Sequence, residues 1–172
     1  MKCLLPTILL LLICTSTLAQ KKPNYGILQK PNEEVLFGVN LKSNNKIAVV
    51  ARDKKDKYIV YRFGTKDKIE LQYPAILDQS AWKSFRYSGY SRLGIKNSPE
   101  EIHSISFSNN NIDYQIYDNW IGDKKQYDVG ITVNMNGKKV DLKGNASTRF
   151  GTIGSLMDKG DLLHNYYWDD NQ

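Results

Sequence analysis

Between Trp82 and Arg92 the chain interleaves aromatic and basic side chains: Trp82, Lys83, Phe85, Arg86, Tyr87, Tyr90 and Arg92. Side chains of an extended strand alternate with period two, so Arg86, Ser88, Tyr90 and Arg92 share one face while Phe85 and Tyr87 share the other. Two forked guanidinium donors, a flat phenol and a small hydroxyl can stack on sugars or clamp an anionic group. Gly89 and Gly94 let a partner approach the backbone closely. Lys96 adds a positive charge just beyond. Arg86, Ser88, Tyr90, Arg92 and Lys96 are therefore the candidate binding residues. The competing reading is a core strand whose aromatics all point inward and whose arginines only face water.

Other chemistries find less support. The only histidines are His103 and His164, without the three or four spaced ligands that a zinc site needs. Asp118, Asp123 and Asp128 recur at intervals that match no compact calcium loop. Ser88-Gly89-Tyr90-Ser91 lacks the Gly-x-Ser-x-Gly form of a nucleophile elbow and lies in a strand. Glu70 with Glu100 or Glu101 offers paired carboxylates, but nothing in their spacing argues for convergence. There is no glycine-rich phosphate loop. The residue types call for no metal and no cofactor, and a catalyst is not expected. Asn145-Ala146-Ser147 matches a glycosylation sequon.

The elements that must hold these residues read as β. Val35–Val39, Lys46–Ala51, Tyr58–Phe63 and Lys68–Tyr73 are apolar or alternating runs separated by Asn, Asp, Lys and Gly turns. An aromatic strand spans Trp82 to Tyr90. His103–Phe107, Ile112–Tyr117, Tyr127–Val133 and Lys138–Leu142 follow. Asn136-Gly137 is the strongest hairpin signal, because a type I′ turn needs positive φ at both central residues. Ser155–Asn165 could form a short helix interrupted by Gly160. The expectation is an all-β, mostly antiparallel barrel or sandwich of about eight strands, with a short C-terminal helix.

The start of the chain carries export signals. One lysine, an apolar stretch of about ten residues from Leu4 to Ile13, and Thr15 to Ala19 match a signal peptide cleaved after Ala19. The stretch is too short for the roughly twenty residues that span a bilayer. Cys14 would be a lipoprotein site only if cleavage followed Ile13, a poor fit. Residues 20–34, polar and proline-containing, read as a flexible leader, and 35–172 as a single β domain. Both cysteines, Cys3 and Cys14, fall in the removed segment. The mature domain must then be held by its core alone, and its expected location is the periplasm or the medium. Loss of Lys2 lowers the formal net charge of +6 by one. A basic balance favours acidic partners such as anionic head groups or acidic glycans.

Tyr58–Gly64 followed by Lys68–Pro74 resembles a pattern in a family of small exported bacterial β proteins. Phe85–Gly94 and Tyr114–Tyr117 resemble that family's later signature, and the likeness covers roughly residues 57 to 158. A weaker likeness is to the periplasmic inhibitors of C-type lysozyme. It implies that Ser88-Gly89 stands for their inhibitory loop, with Lys96 as a basic partner. Those inhibitors usually carry cysteines, which the mature chain here lacks. The expected function is a non-catalytic exported binding protein of the bacterial cell envelope, inhibiting a lysozyme or a competitor's toxin. The alternatives are a structural envelope protein or a glycan-binding module. Nucleic acid is not an expected partner, and no transmembrane segment is expected in the mature chain.

Overall fold

The run Ile47-Ala48-Val49-Val50-Ala51 has no polar residue to turn toward water, so a strand made from it needs cover on both faces. Ile112–Tyr117 alternates and needs cover on one. The computed structural model describes residues 23–92, 94 and 98–170, the last six as backbone only, and it arranges the chain in this way.

Four strands form an antiparallel meander: β1 (Glu33–Asn40), β2 (Ile47–Asp53), β3 (Ile59–Thr65) and β4 (Lys68–Tyr73). The two-residue strand β10 (Phe150–Gly151) adds to the outer edge of β1. A second sheet contains β5 (Arg86–Arg92), β6 (Glu100–Asn109), β7 (Ile112–Ile121), β8 (Gln126–Met135), β9 (Lys138–Lys143) and β11 (His164–Asp170), in the order β11-β5-β6-β7-β8-β9. All pairings are antiparallel except β11 with β5. The fold is thus a two-sheet β-sandwich, not a closed barrel. Asn110-Asn111 and Asn136-Gly137 turn their hairpins with positive φ at both residues, as type I′ geometry requires.

The core lies between the sheets. Phe37, Val39, Val50, Ile59 and Tyr61 from the first sheet meet Phe85, Tyr87, Ile105, Phe107, Ile116 and Ile131 from the second. Tyr73 stacks on Phe107 at 4.2 Å between ring centroids, and Tyr114 stacks on it at 4.9 Å. Ile47, Val49, Ala51 and Val60 point the other way, into a second cluster closed by Tyr25 and Leu28. The five-stranded sheet is covered on both faces. The six-stranded sheet is covered on its inner face, and among the described residues no element packs on its outer face.

Three expectations are corrected. From Pro23 onward the presumed flexible leader is packed: Tyr25 and Leu28 are buried, and Glu33, already in β1, is buried against Arg62. The second apolar face of β2 needed that cover. The aromatic strand begins later than expected, because Asp78 caps a 3-10 segment at Gln79–Ser84 by accepting from the Ser80 N–H. Trp82 sits in that segment, fully buried, and donates Nε1–H to the Asp56 carbonyl at 3.0 Å. Near the C-terminus the short helix expected over Ser155–Asn165 is a 3-10 segment at Ile153–Lys159, and β11 follows it from His164. The signal peptide, Cys14, residues 20–22 of the leader and Lys96 lie outside the described residues. Among the described residues no helix is long and apolar enough to cross a membrane.

Candidate functional site

The strand register lays the outer face of the six-stranded sheet out in rows that cross the strands. One row reads Arg86, Ser106, Gln115, Thr132, Asp141. The next reads Ser88, Ser104, Tyr117, Gly130, Lys143, and a third reads Tyr90, Ile102, Asn119, Asp128. On the far side Ser108, Asp113, Asn134 and Lys139 form a fourth. Serine, threonine and glycine hold much of the middle, and longer side chains stand around them. The result is a trough.

Two adjoining depressions, each about 280 Å³, make up this trough. Gln115 and Thr132 line both. The first also takes in Ile102, Ser104, Tyr117, Asn119, Asp128, Asp141 and Lys143. The second takes in Arg86, Ser106, Asp113, Asn134 and Lys139. Asn119 and Asn134 each hold a side-chain carbonyl oxygen that is buried without a hydrogen-bond partner. A buried acceptor left unpaired costs about 1–3 kcal/mol, so these two amides are under-satisfied positions beside the trough.

Tyr117 forms the firm wall of the first depression. Its ring lies over Gly130, its hydroxyl donates to Asp141 Oδ1 at 2.8 Å, and Lys143 Nζ stands 5.2 Å from the ring centroid. Burial, with Asp141 as acceptor and the charges of Asp128 and Asp141 nearby, pushes the phenol up to about 12 despite Lys143. It is a neutral hydroxyl at any physiological pH. Lys143 bridges Asp128 and Asp141, both at 3.0 Å, and these bonds raise its pKa.

The expected binding residues occupy one end of this face. Arg86 and Ser88 are exposed, Tyr90 is half-buried, and Phe85 and Tyr87 point into the core as the alternation requires. Arg92 is committed elsewhere, with Nε donating to the Ser98 carbonyl at 3.0 Å and a guanidinium nitrogen 3.2 Å from Glu100. The expected residues on β5 thus stand at the margin of the trough, and Gln115, Asn119, Thr132 and Asn134 lie nearer its centre. The sequence signal for them is that the outward positions of β7 and β8 from Asp113 to Asn119 and from Asp128 to Asn134 carry no lysine and no glutamate, the residues usual on a solvated face.

The remaining candidates are dispersed. His103 lies on the inner face beside Asp118, and its Nδ1 is 2.9 Å from the Tyr87 hydroxyl. Asp118 accepts from Arg149 twice, from Thr152 and from the Ile153 N–H, which fastens the 145–153 segment to the sheet. Asp123 bonds Ser98 in a turn, and Asp128 faces outward, so these three aspartates do not converge. Glu70 pairs with Lys46 on the other sheet, away from Glu100 and Glu101 on β6. Among the described residues no three His, Cys, Asp or Glu side chains cluster as a metal site. No family model, no curated protein and no solved structure matches the chain.

Proposed function

We propose that this chain is an exported, non-catalytic binding protein that holds a glycan chain across the outer face of its six-stranded sheet. The observation that carries the reading is the polar trough whose two depressions share Gln115 and Thr132 and are lined throughout by amides, hydroxyls and charged groups. Sugar hydroxyls both donate and accept, which suits a surface of mixed amides, hydroxyls and ion-paired carboxylates. A protein partner is favoured by an apolar, aromatic centre with a polar rim. This face is polar at its centre; Tyr90 and Ile102 pair with each other toward one edge, and Tyr117 is tied to Asp141. Two of its carboxylates, Asp128 and Asp141, are already engaged by Lys143, which favours binding over acid–base work. The signal-peptide pattern at residues 1–19 supports a ligand outside the cytoplasm.

Calorimetric titration with soluble chito-, cello- and malto-oligosaccharides and with uronic-acid oligomers tests the proposal. Binding that weakens at least tenfold in Gln115→Ala and Thr132→Ala, with the melting temperature kept, is expected. Failure of every saccharide to bind defeats the glycan reading. Cleavage of a bound saccharide defeats the non-catalytic one. Sequencing the mature N-terminus of exported protein checks cleavage after Ala19.

A further inference from the structure

We propose that the glycan is acidic, bearing carboxylates on a hydroxyl-rich chain, and that it lies with one carboxylate between Arg86 and Lys139. This rests on the glycan reading above and names the class of sugar. Arg86 stands on β5 and Lys139 on β9, four strand intervals or about 19 Å apart. Both nevertheless line the same depression, from opposite sides. Both are exposed, and among the described residues neither forms an ion pair. Among the described residues the other cations of this face are engaged, Arg92 by Glu100 and Lys143 by Asp128 and Asp141. Among those residues, uncommitted positive charge lies at one end of the trough.

Between these cations lie acceptors. Asp113 takes the Ser108 hydroxyl at 2.6 Å, and the Asn134 amide oxygen has no partner. A densely charged polyanion would press like charge against Asp113. A uronic-acid unit instead offers one carboxylate for the guanidinium and ammonium groups and several hydroxyls that can donate to the exposed Asp113. A forked guanidinium can hold a carboxylate through two parallel bonds, and the lysine adds a point charge.

The probes are oligogalacturonides and oligomannuronates, their methyl-esterified counterparts, and a short single-stranded DNA, each titrated calorimetrically at two salt concentrations. The acidic oligomers are expected to bind at least tenfold more tightly than their esters, with affinity falling as salt rises. Arg86→Gln and Lys139→Gln should each lose about tenfold toward the acids, a clearly larger loss than toward the esters and neutral oligosaccharides, and keep the melting temperature. Equal affinity for acid and ester, or variants that do not discriminate, overturns the acidic class while the glycan reading stands. DNA bound as tightly as the uronates overturns it too, in favour of a general polyanion surface. No binding to any saccharide, neutral or acidic, overturns both.

Discussion

Gly130 lies directly across the β7–β8 pair from Tyr117, and the phenol occupies the space a side chain at 130 would need. A Cβ there would stand 2.6 Å from the Tyr117 hydroxyl and 2.6 Å from the Leu142 carbonyl oxygen. The ring can turn aside, but the carbonyl belongs to the β8–β9 ladder. Gly130→Ala should therefore destabilise the fold by about 1–3 kcal/mol, as overpacking does. It should also weaken ligand binding beyond its effect on folding, since Tyr117 walls the trough. Urea denaturation and titration of the same preparation separate the two.

Glu33 and Arg62 form a fully buried pair at 2.7 Å, with a second bond at 2.9 Å. Tyr58 and the Lys30 N–H donate to the same carboxylate, and Arg62 also donates to Gln72 and the Leu28 carbonyl. Truncating either partner strands a buried charge, so Arg62→Ala should cost about 3–5 kcal/mol. The paired change Glu33→Leu/Arg62→Met should cost much less than the two single changes together, which a double-mutant cycle reads directly. Burial alone would raise the Glu33 pKa, but bonds from Arg62, the Lys30 N–H and Tyr58 hold it below 4.5. The unfolded chain then binds more protons than the folded one below that pH. This contribution is present above about 4.5 and lost as the pH falls toward the folded value. Acid unfolding of Glu33→Gln, followed by circular dichroism, should be less steep.

The sheet order could not be read along the chain, but much of the sheet content could. Alternation marked β7 and β8, and Asn136-Gly137 marked their neighbour's turn, because period two and positive φ are local properties. The cover over β2 was not local. Tyr25 and Leu28 sit in a polar stretch, and only the doubly apolar run 47–51 implied that something had to lie on its second face. β10 and β11 are held by pairing to distant strands, and nothing within Phe150-Gly151 announces that. The trough was legible only in part: the basic and aromatic residues of β5 stand out in the sequence, whereas Gln115, Asn119, Thr132 and Asn134 come together only when β7 and β8 pair in register.

Arg86 and Arg92 share a face of β5 but differ in employment, and their substitutions should differ accordingly. Arg92 holds the Ser98 carbonyl and Glu100 beside the connection to β6. Arg92→Ala should lower stability by no more than about 1 kcal/mol, as expected for a partly exposed pair, and leave ligand affinity nearly unchanged. Arg86→Ala should do the reverse. Measuring melting temperature and affinity for both variants checks the assignment, and a larger affinity loss in Arg92→Ala would move the site toward the 93–99 connection.

His103 is buried on the inner face, with Tyr87 at its Nδ1, Asp118 opposite it on β7, and Glu101 and Arg149 close enough to act on its charge. Burial lowers its pKa below 6.5, and Arg149 adds to this, outweighing the opposing pull of Asp118 and Glu101. The sign of the stability effect follows. An unfolded imidazole gains its proton near 6.5, whereas the folded one holds out to lower pH, so the unfolded chain binds more protons in between. Stability from this group is complete well above pH 6.5, declines as the pH falls from there to the folded value, and levels off below it. Urea midpoints measured from pH 8 to pH 5 should fall on the acid side, and most of that slope should vanish in His103→Gln. With only two histidines in the chain, a proton NMR titration of wild type and His164→Gln assigns the resonances. A His103 midpoint at or above 6.5 would show that Asp118, not burial, governs the ring.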